Sequence, residues 1–181
     1  MKQVYIVRHC KAVGQEPEAP LTEAGAQQAK GLAEFFSNKE VDRIISSPFE
    51  RAFRTITPLA EKLGLEITLD NRLSERILSS ESYADWRDRL RKTFDDLELC
   101  HEGGESSHAA MSRAVSVVTE ALSSGKKNIV IVSHGNLISL LLKHFDSRIG
   151  FEEWEAMSNP DVFQLTFSAE GKPDIHRIWE L

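Results

Sequence analysis

The stretch Gln3-Val4-Tyr5-Ile6-Val7-Arg8-His9, residues 3–9, decides how the chain is read. Its β-branched and aromatic residues form a short continuous apolar run, the pattern of a strand buried on both faces. The run stops abruptly at an arginine and a histidine. Residues 128–132, Asn-Ile-Val-Ile-Val, are the most strand-like run in the chain and end in a similar way, at Ser133-His134-Gly135. A third run, Arg43 to Ser46, is too short for a helix and closes on Ser46-Ser47-Pro48, with Arg51 one turn into the segment that follows.

Helical patterns lie between these runs. Thr22 is a plausible N-cap, followed by Ala29, Leu32, Ala33 and Phe36 at helical spacing. Ala52, Ile56, Leu59, Ala60 and Leu63 share a face of a second helix that Gly64 would stop; Pro58 inside it predicts a kink or an earlier end. Ile67 to Leu69 is a short strand candidate. Met111, Val115, Val118 and Leu122 mark an amphipathic helix after Gly103-Gly104, and an apolar helix covers Leu137 to Leu142. Val162 to Phe167 and Ile175 to Trp179, joined across Ala169-Glu170-Gly171-Lys172-Pro173, read as a closing hairpin. Alternating strands and helices predict an α/β fold, a three-layer α/β/α sandwich whose mainly parallel sheet has helices on both faces. Residues 1–181 read as a single domain, with a lid-like insertion at about 73–104 where charges crowd around Tyr83, Trp86, Leu90, Phe94 and Leu97.

Composition narrows the function. With 41% hydrophobic and 28% charged residues, 181 residues can bury a substantial core. No apolar run reaches membrane-spanning length, and the apolar start breaks too soon at Arg8 and His9 for a secretory signal, so a cytoplasmic location is the expectation. A net charge of −6 argues against nucleic acid, which needs a basic excess, but not against a small phosphorylated ligand held by a few local cations. Two cysteines, Cys10 and Cys100, are too few for a disulfide framework. A zinc site from Cys100, His101 and His108 fits no standard ligand spacing, so no metal and no cofactor is expected. Either a monomer or a homodimer fits.

In parallel sheets ligands bind beyond the carboxyl ends of the strands. Arg8, His9, Arg51 and His134 therefore converge on one crevice. Any one of them alone is more simply a structural side chain; four at successive strand ends are not.

These residues resemble the histidine phosphatase superfamily, also called the phosphoglycerate mutase-like family. The matching blocks are Val7-Arg8-His9, Leu21-Thr22-Glu23-Ala24-Gly25 with Gln28-Ala29, Ser46-Ser47-Pro48 with Arg51, Ala52 and Thr55, Gly103-Gly104-Glu105-Ser106, and Val132-Ser133-His134-Gly135. They stand in the family's order across most of the chain. The resemblance implies a nucleophilic His9 that becomes a phosphohistidine. Arg8 and Arg51 would clamp the phosphoryl oxygens, His134 with Gly135 would complete the pocket, and Glu75 would be the proton donor, with Glu81 as the next candidate. Thr22 and Ser46 are further candidates for phosphate contact, although Thr22 reads more simply as a helix cap and Ser46 and Ser47 as turn formers. Glu105 and Ser106 begin a helix, and Glu105 is as good a candidate for bracing a catalytic side chain.

The chemistry suits these residue types. A neutral imidazole nitrogen attacks phosphorus without losing a proton, provided the other ring nitrogen is held as a donor. Guanidinium forks match the oxygens of a transferring phosphoryl group. A buried carboxyl can protonate the leaving alcohol and then activate water. Two departures stand out. Cys10 replaces the family's usual glycine, as an inert thiol or as one activated by nearby cations; the run after Glu75 departs from the family pattern, with Trp86 in part of its place. The expected activity is hydrolysis of a small phosphorylated metabolite. The alternatives are phosphoglycerate mutase-type transfer, and a silent phosphate-binding regulatory protein.

Overall fold

A computed structural model describes residues 1–169 and 171–180. The strands are β1 (Lys2–Arg8), β2 (Arg43–Ser46), β3 (Ile67–Leu69), β4 (Asn128–Ser133), β5 (Asp161–Phe167) and β6 (Asp174–Arg177). The helices are α1 (Glu23–Phe35), α2 (Glu50–Leu63), α3 (Trp86–Asp95), α4 (Ser107–Ser123), α5 (Gly135–Phe145) and α6 (Phe151–Glu155). One sheet holds all six strands in the order β3-β2-β4-β1-β5-β6. The first four are parallel; β5 runs antiparallel to β1, and β6 antiparallel to β5. Glu170, in the connection of the expected hairpin, lies outside the described residues.

Because side chains alternate across a strand, the apolar runs feed two cores. Val4, Ile6, Ile129, Ile131 and Leu165 face one side, where Leu90 and Phe94 of α3, the apolar edge of α4 and nearly all of α5 cover them. Tyr5, Val7, Ile44, Val130, Val132 and Val162 face the other, under α1 and α2. A large-to-small change such as Ile131→Ala in these cores costs about 2–5 kcal/mol.

Helix α2 runs through Pro58 to Leu63 and stops at Gly64, whose φ of 66° is the left-handed conformation that favours glycine. Of the kink or early end expected at Pro58, the early end does not occur. Interior proline costs about 3 kcal/mol, but Ile56, Leu59 and Ala60 are buried against the sheet on either side of it and hold the helix together. Leu97 falls just beyond α3 and still packs on the core. Helix α6 has no counterpart in the periodicity, being only one turn long and formed around a Glu153 side chain that accepts from the Gly150 N–H. Among the described residues, no helix is long and apolar enough to cross a membrane.

Candidate active site

His9 leaves the end of β1, the strand flanked by β4 and β5. Its Nδ1 lies 2.7 Å from the Cys10 carbonyl oxygen. Its Nε2 accepts from Arg51 Nε at 3.3 Å. An N–H aimed at Nε2 requires a lone pair there, so the ring proton sits on Nδ1 and is donated to Cys10. Burial lowers the His9 pKa to about 4; the Cys10 carbonyl opposes the shift, and the charges of Arg51 and Arg8 reinforce it. The ring is neutral near pH 7.

The sequence blocks around His9 hold its backbone. Cys10 N donates to Thr55 Oγ1 at 2.8 Å, and that hydroxyl donates to Arg51 O, which ties the turn after His9 to α2. Lys11 N donates to Gln28 Oε1, while Lys11 O accepts from Thr22 N. Gly25 is obligatory because a Cβ there would stand 2.1 Å from Lys11 O. Thr22 caps α1 by accepting from Gly25 N at 2.9 Å. Its hydroxyl also donates to Lys11 O, so both hydrogen-bonding roles are used in the cap rather than at an open ligand site.

Arg51 is 1% exposed and donates through Nη1 to the carbonyls of Gln15 and Glu16 at 3.0 and 2.9 Å, with its guanidinium over the Phe49 ring. Arg8 donates through Nη1 to Met157 O at 3.2 Å, and its Nε is buried without a partner. Gly135 makes room for it: a Cβ there would lie 2.9 Å from Arg8 Nε. His134 is fully buried at the start of α5, its ring centroid 5.2 Å from that of His9. Its Nε2 lies 2.8 Å from Ser47 Oγ, and its Nδ1 has no partner. Ser47, not Ser46, therefore meets the second histidine; Ser46 Oγ is turned back to donate to Ser47 O.

Glu75 follows a short turn (Asn71–Leu73) and reaches the first turn of α5. Its carboxylate accepts from Asn136 N at 3.1 Å, Leu137 N at 2.9 Å and Arg76 N at 2.8 Å. Burial raises its pKa, and the three N–H donors and the Arg8 charge oppose that rise. Neither neighbouring arginine pairs with it: Arg72 binds Asp70 and Glu120, and Arg76 binds Thr93 and Glu105 O. Glu81 is exposed. The segment carrying Glu75 is clamped by Arg113, which donates to Arg72 O at 2.6 Å and Ser74 O at 2.8 Å and pairs with Glu105 at 2.6 Å. Glu105 also accepts from Ile77 N, so the clamp grips both sides of Glu75.

Cys10 is buried and its thiol is pushed up to about 12 by burial, partly offset by Thr55. The nearby cations do not activate it. Phe94 is a core residue and Tyr83 stacks under Arg89, whereas Trp86 is half-exposed against Trp154. No group of histidine, cysteine and carboxylate side chains suited to a metal forms among the described residues; His108 pairs instead with Glu98.

The entry to β5 escaped the sequence reading. Asn159 Nδ2 donates to His9 O at 3.0 Å, and the Met157 carbonyl receives Arg8. Buried Asp161 holds this turn by accepting from Ser158 N and pairing with Arg177 at 2.7 Å. The signal was a polar turn before a strand antiparallel to β1, because such a turn must lie beside the exit of β1.

Comparisons with known proteins identify the family. The model of the histidine phosphatase superfamily (branch 1) matches residues 4–178. A candidate phosphoserine phosphatase of Hydrogenobacter thermophilus is 29% identical, covering 94% of this chain and 92% of its own. A candidate phosphoglycerate mutase of Salmonella choleraesuis is 28% identical over 85% of this chain and 78% of its own. Among solved structures, a mycobacterial glucosyl-3-phosphoglycerate phosphatase superposes with a TM-score of 0.79 at 25% identity, covering 98% of this chain and 97% of that one. The chain belongs to the histidine phosphatase superfamily, a class of enzymes acting on phosphoric monoesters.

Proposed function

We propose that the protein hydrolyses a small phosphorylated metabolite, without a metal, through a phosphohistidine on His9. The observation that carries this is the His9 ring itself: neutral, with Nδ1–H donated to Cys10 O and the Nε2 lone pair turned toward Arg51. That lone pair attacks phosphorus as the bond to the leaving oxygen breaks. Arg8 and Arg51 take the charge on the equatorial oxygens. Glu75, whose pKa burial raises, gives its proton to the leaving oxygen. In the second half-reaction the Glu75 carboxylate takes a proton from water, the water oxygen bonds to phosphorus, and the P–N bond breaks. Phosphate leaves, and His9 and Glu75 are restored.

The phosphatase relatives recommend phosphoserine and glucosyl-3-phosphoglycerate as first substrates to try. A phosphomonoester panel with chelator and with vanadate tests the proposal. Expected is chelator-resistant, vanadate-sensitive phosphate release that vanishes in His9→Ala, with an acid-labile phosphoryl label on the wild type. Interconversion of 2- and 3-phosphoglycerate without phosphate release would assign a mutase instead. Silence across the panel would assign a binding protein.

A further inference from the structure

We propose that Ser47 is a positioning residue that holds His134 in the tautomer protonated at Nδ1, so that this N–H serves as a neutral donor to the transferring phosphoryl group. The proposal rests on the phosphoryl-transfer reading of the site. Ser47 Oγ lies 2.8 Å from His134 Nε2 and accepts from the Phe49 N–H at 3.2 Å. Ser47 is fully buried, so its single hydroxyl hydrogen must find an acceptor inside the protein. With Phe49 donating to the oxygen, His134 Nε2 is the acceptor in reach. A lone pair at Nε2 places the proton of the neutral ring on Nδ1.

His134 is held neutral by burial and by the charges of Arg51, Arg8 and Arg113. Its Nδ1 is buried without a partner, and so is Arg8 Nε. Gly135, the residue after His134, packs against the Arg8 guanidinium. A phosphoryl group seated between the two orphan groups would satisfy both. The opposite tautomer would turn a lone pair toward the anion and remove one donor from the pocket. Phe49 contributes twice, donating its N–H to Ser47 and resting its ring 4.9 Å from His134.

The test uses ¹⁵N-histidine-labelled full-length protein together with a double-mutant cycle. Resting wild-type enzyme should show His134 protonated at Nδ1 and unprotonated at Nε2, and orthovanadate should shift the Nδ1–H signal. Ser47→Ala should mix or reverse the tautomers and lower kcat/KM by on the order of tenfold to a hundredfold. In a His134→Ala background the same change should cost nothing further, because a residue acting through His134 has nothing left to act on. A wild-type His134 protonated at Nε2, or an undiminished Ser47→Ala loss beside His134→Ala, would overturn the proposal. Activity surviving His9→Ala would instead reject the phosphohistidine reading and leave the tautomer result standing by itself.

Discussion

With its pKa drawn down to about 4 by burial, His9 keeps Nε2 unprotonated well into mildly acidic solution. The acid limb of kcat/KM should therefore fall near pH 4 rather than near 6.5, and the basic limb should report the raised carboxyl of Glu75. A pH–rate profile on one substrate checks both, and Glu75→Gln should remove the basic limb while sparing activated aryl phosphates. Gly135→Ala pushes a methyl into the Arg8 guanidinium at 2.9 Å. Activity and vanadate affinity should fall by on the order of 10²–10³ with the far-ultraviolet circular dichroism unchanged. Cys10 should resist thiol reagents in the native protein while exposed Cys100 reacts; mass mapping after brief alkylation would show a modified Cys10 if its thiol were active.

At the level of elements, Glu75, the proposed proton donor, depends on a clamp between α4 and the segment after β3. Arg113→Ala frees the Arg72 and Ser74 carbonyls and unpairs Glu105. Hydrolysis of alkyl phosphates should drop by about ten- to a hundredfold while aryl phosphates, which need no proton donor, are nearly spared. Comparing the two substrate classes separates misplacement of Glu75 from general damage. The strands that carry the site were legible because buried parallel strands leave continuous apolar runs, and Arg8, His9 and His134 interrupt two of them abruptly. Arg51 was legible from its place one turn into α2. The bracing was not. Arg113 lies on a helix whose periodicity shows only its buried face, and its carbonyl partners have no side-chain signature. Ser46 and Ser47 are indistinguishable as letters; only the alternation of the strand end turns one hydroxyl back and the other toward His134. Likewise a proline inside α2 signals a break, while the packing that overrides it lies far away in the sequence.

Over the molecule as a whole, two buried neutral histidines make stability depend on acid. Between pH 6.5 and about 4 the unfolded chain protonates its histidines while folded His9 does not, so the unfolded state gains protons and stability falls. His9 alone withdraws about 3 kcal/mol over that window, and His134, also lowered, adds to it. Denaturant midpoints at pH 7 and pH 4.5 should differ accordingly, and His9→Ala should narrow the difference. The placement of β1 has a further consequence during synthesis. His9 and Arg8 are synthesised long before their partners, since Arg8 is held by the Met157 carbonyl and the His9 carbonyl by Asn159. The strand beside them, β5, pairs with β1 only when residues 161–167 are available. A nascent chain can thus pair its parallel strands while the turn around His9 stays unbuilt, and that turn is completed only once residues 157–167 are free to pack against β1.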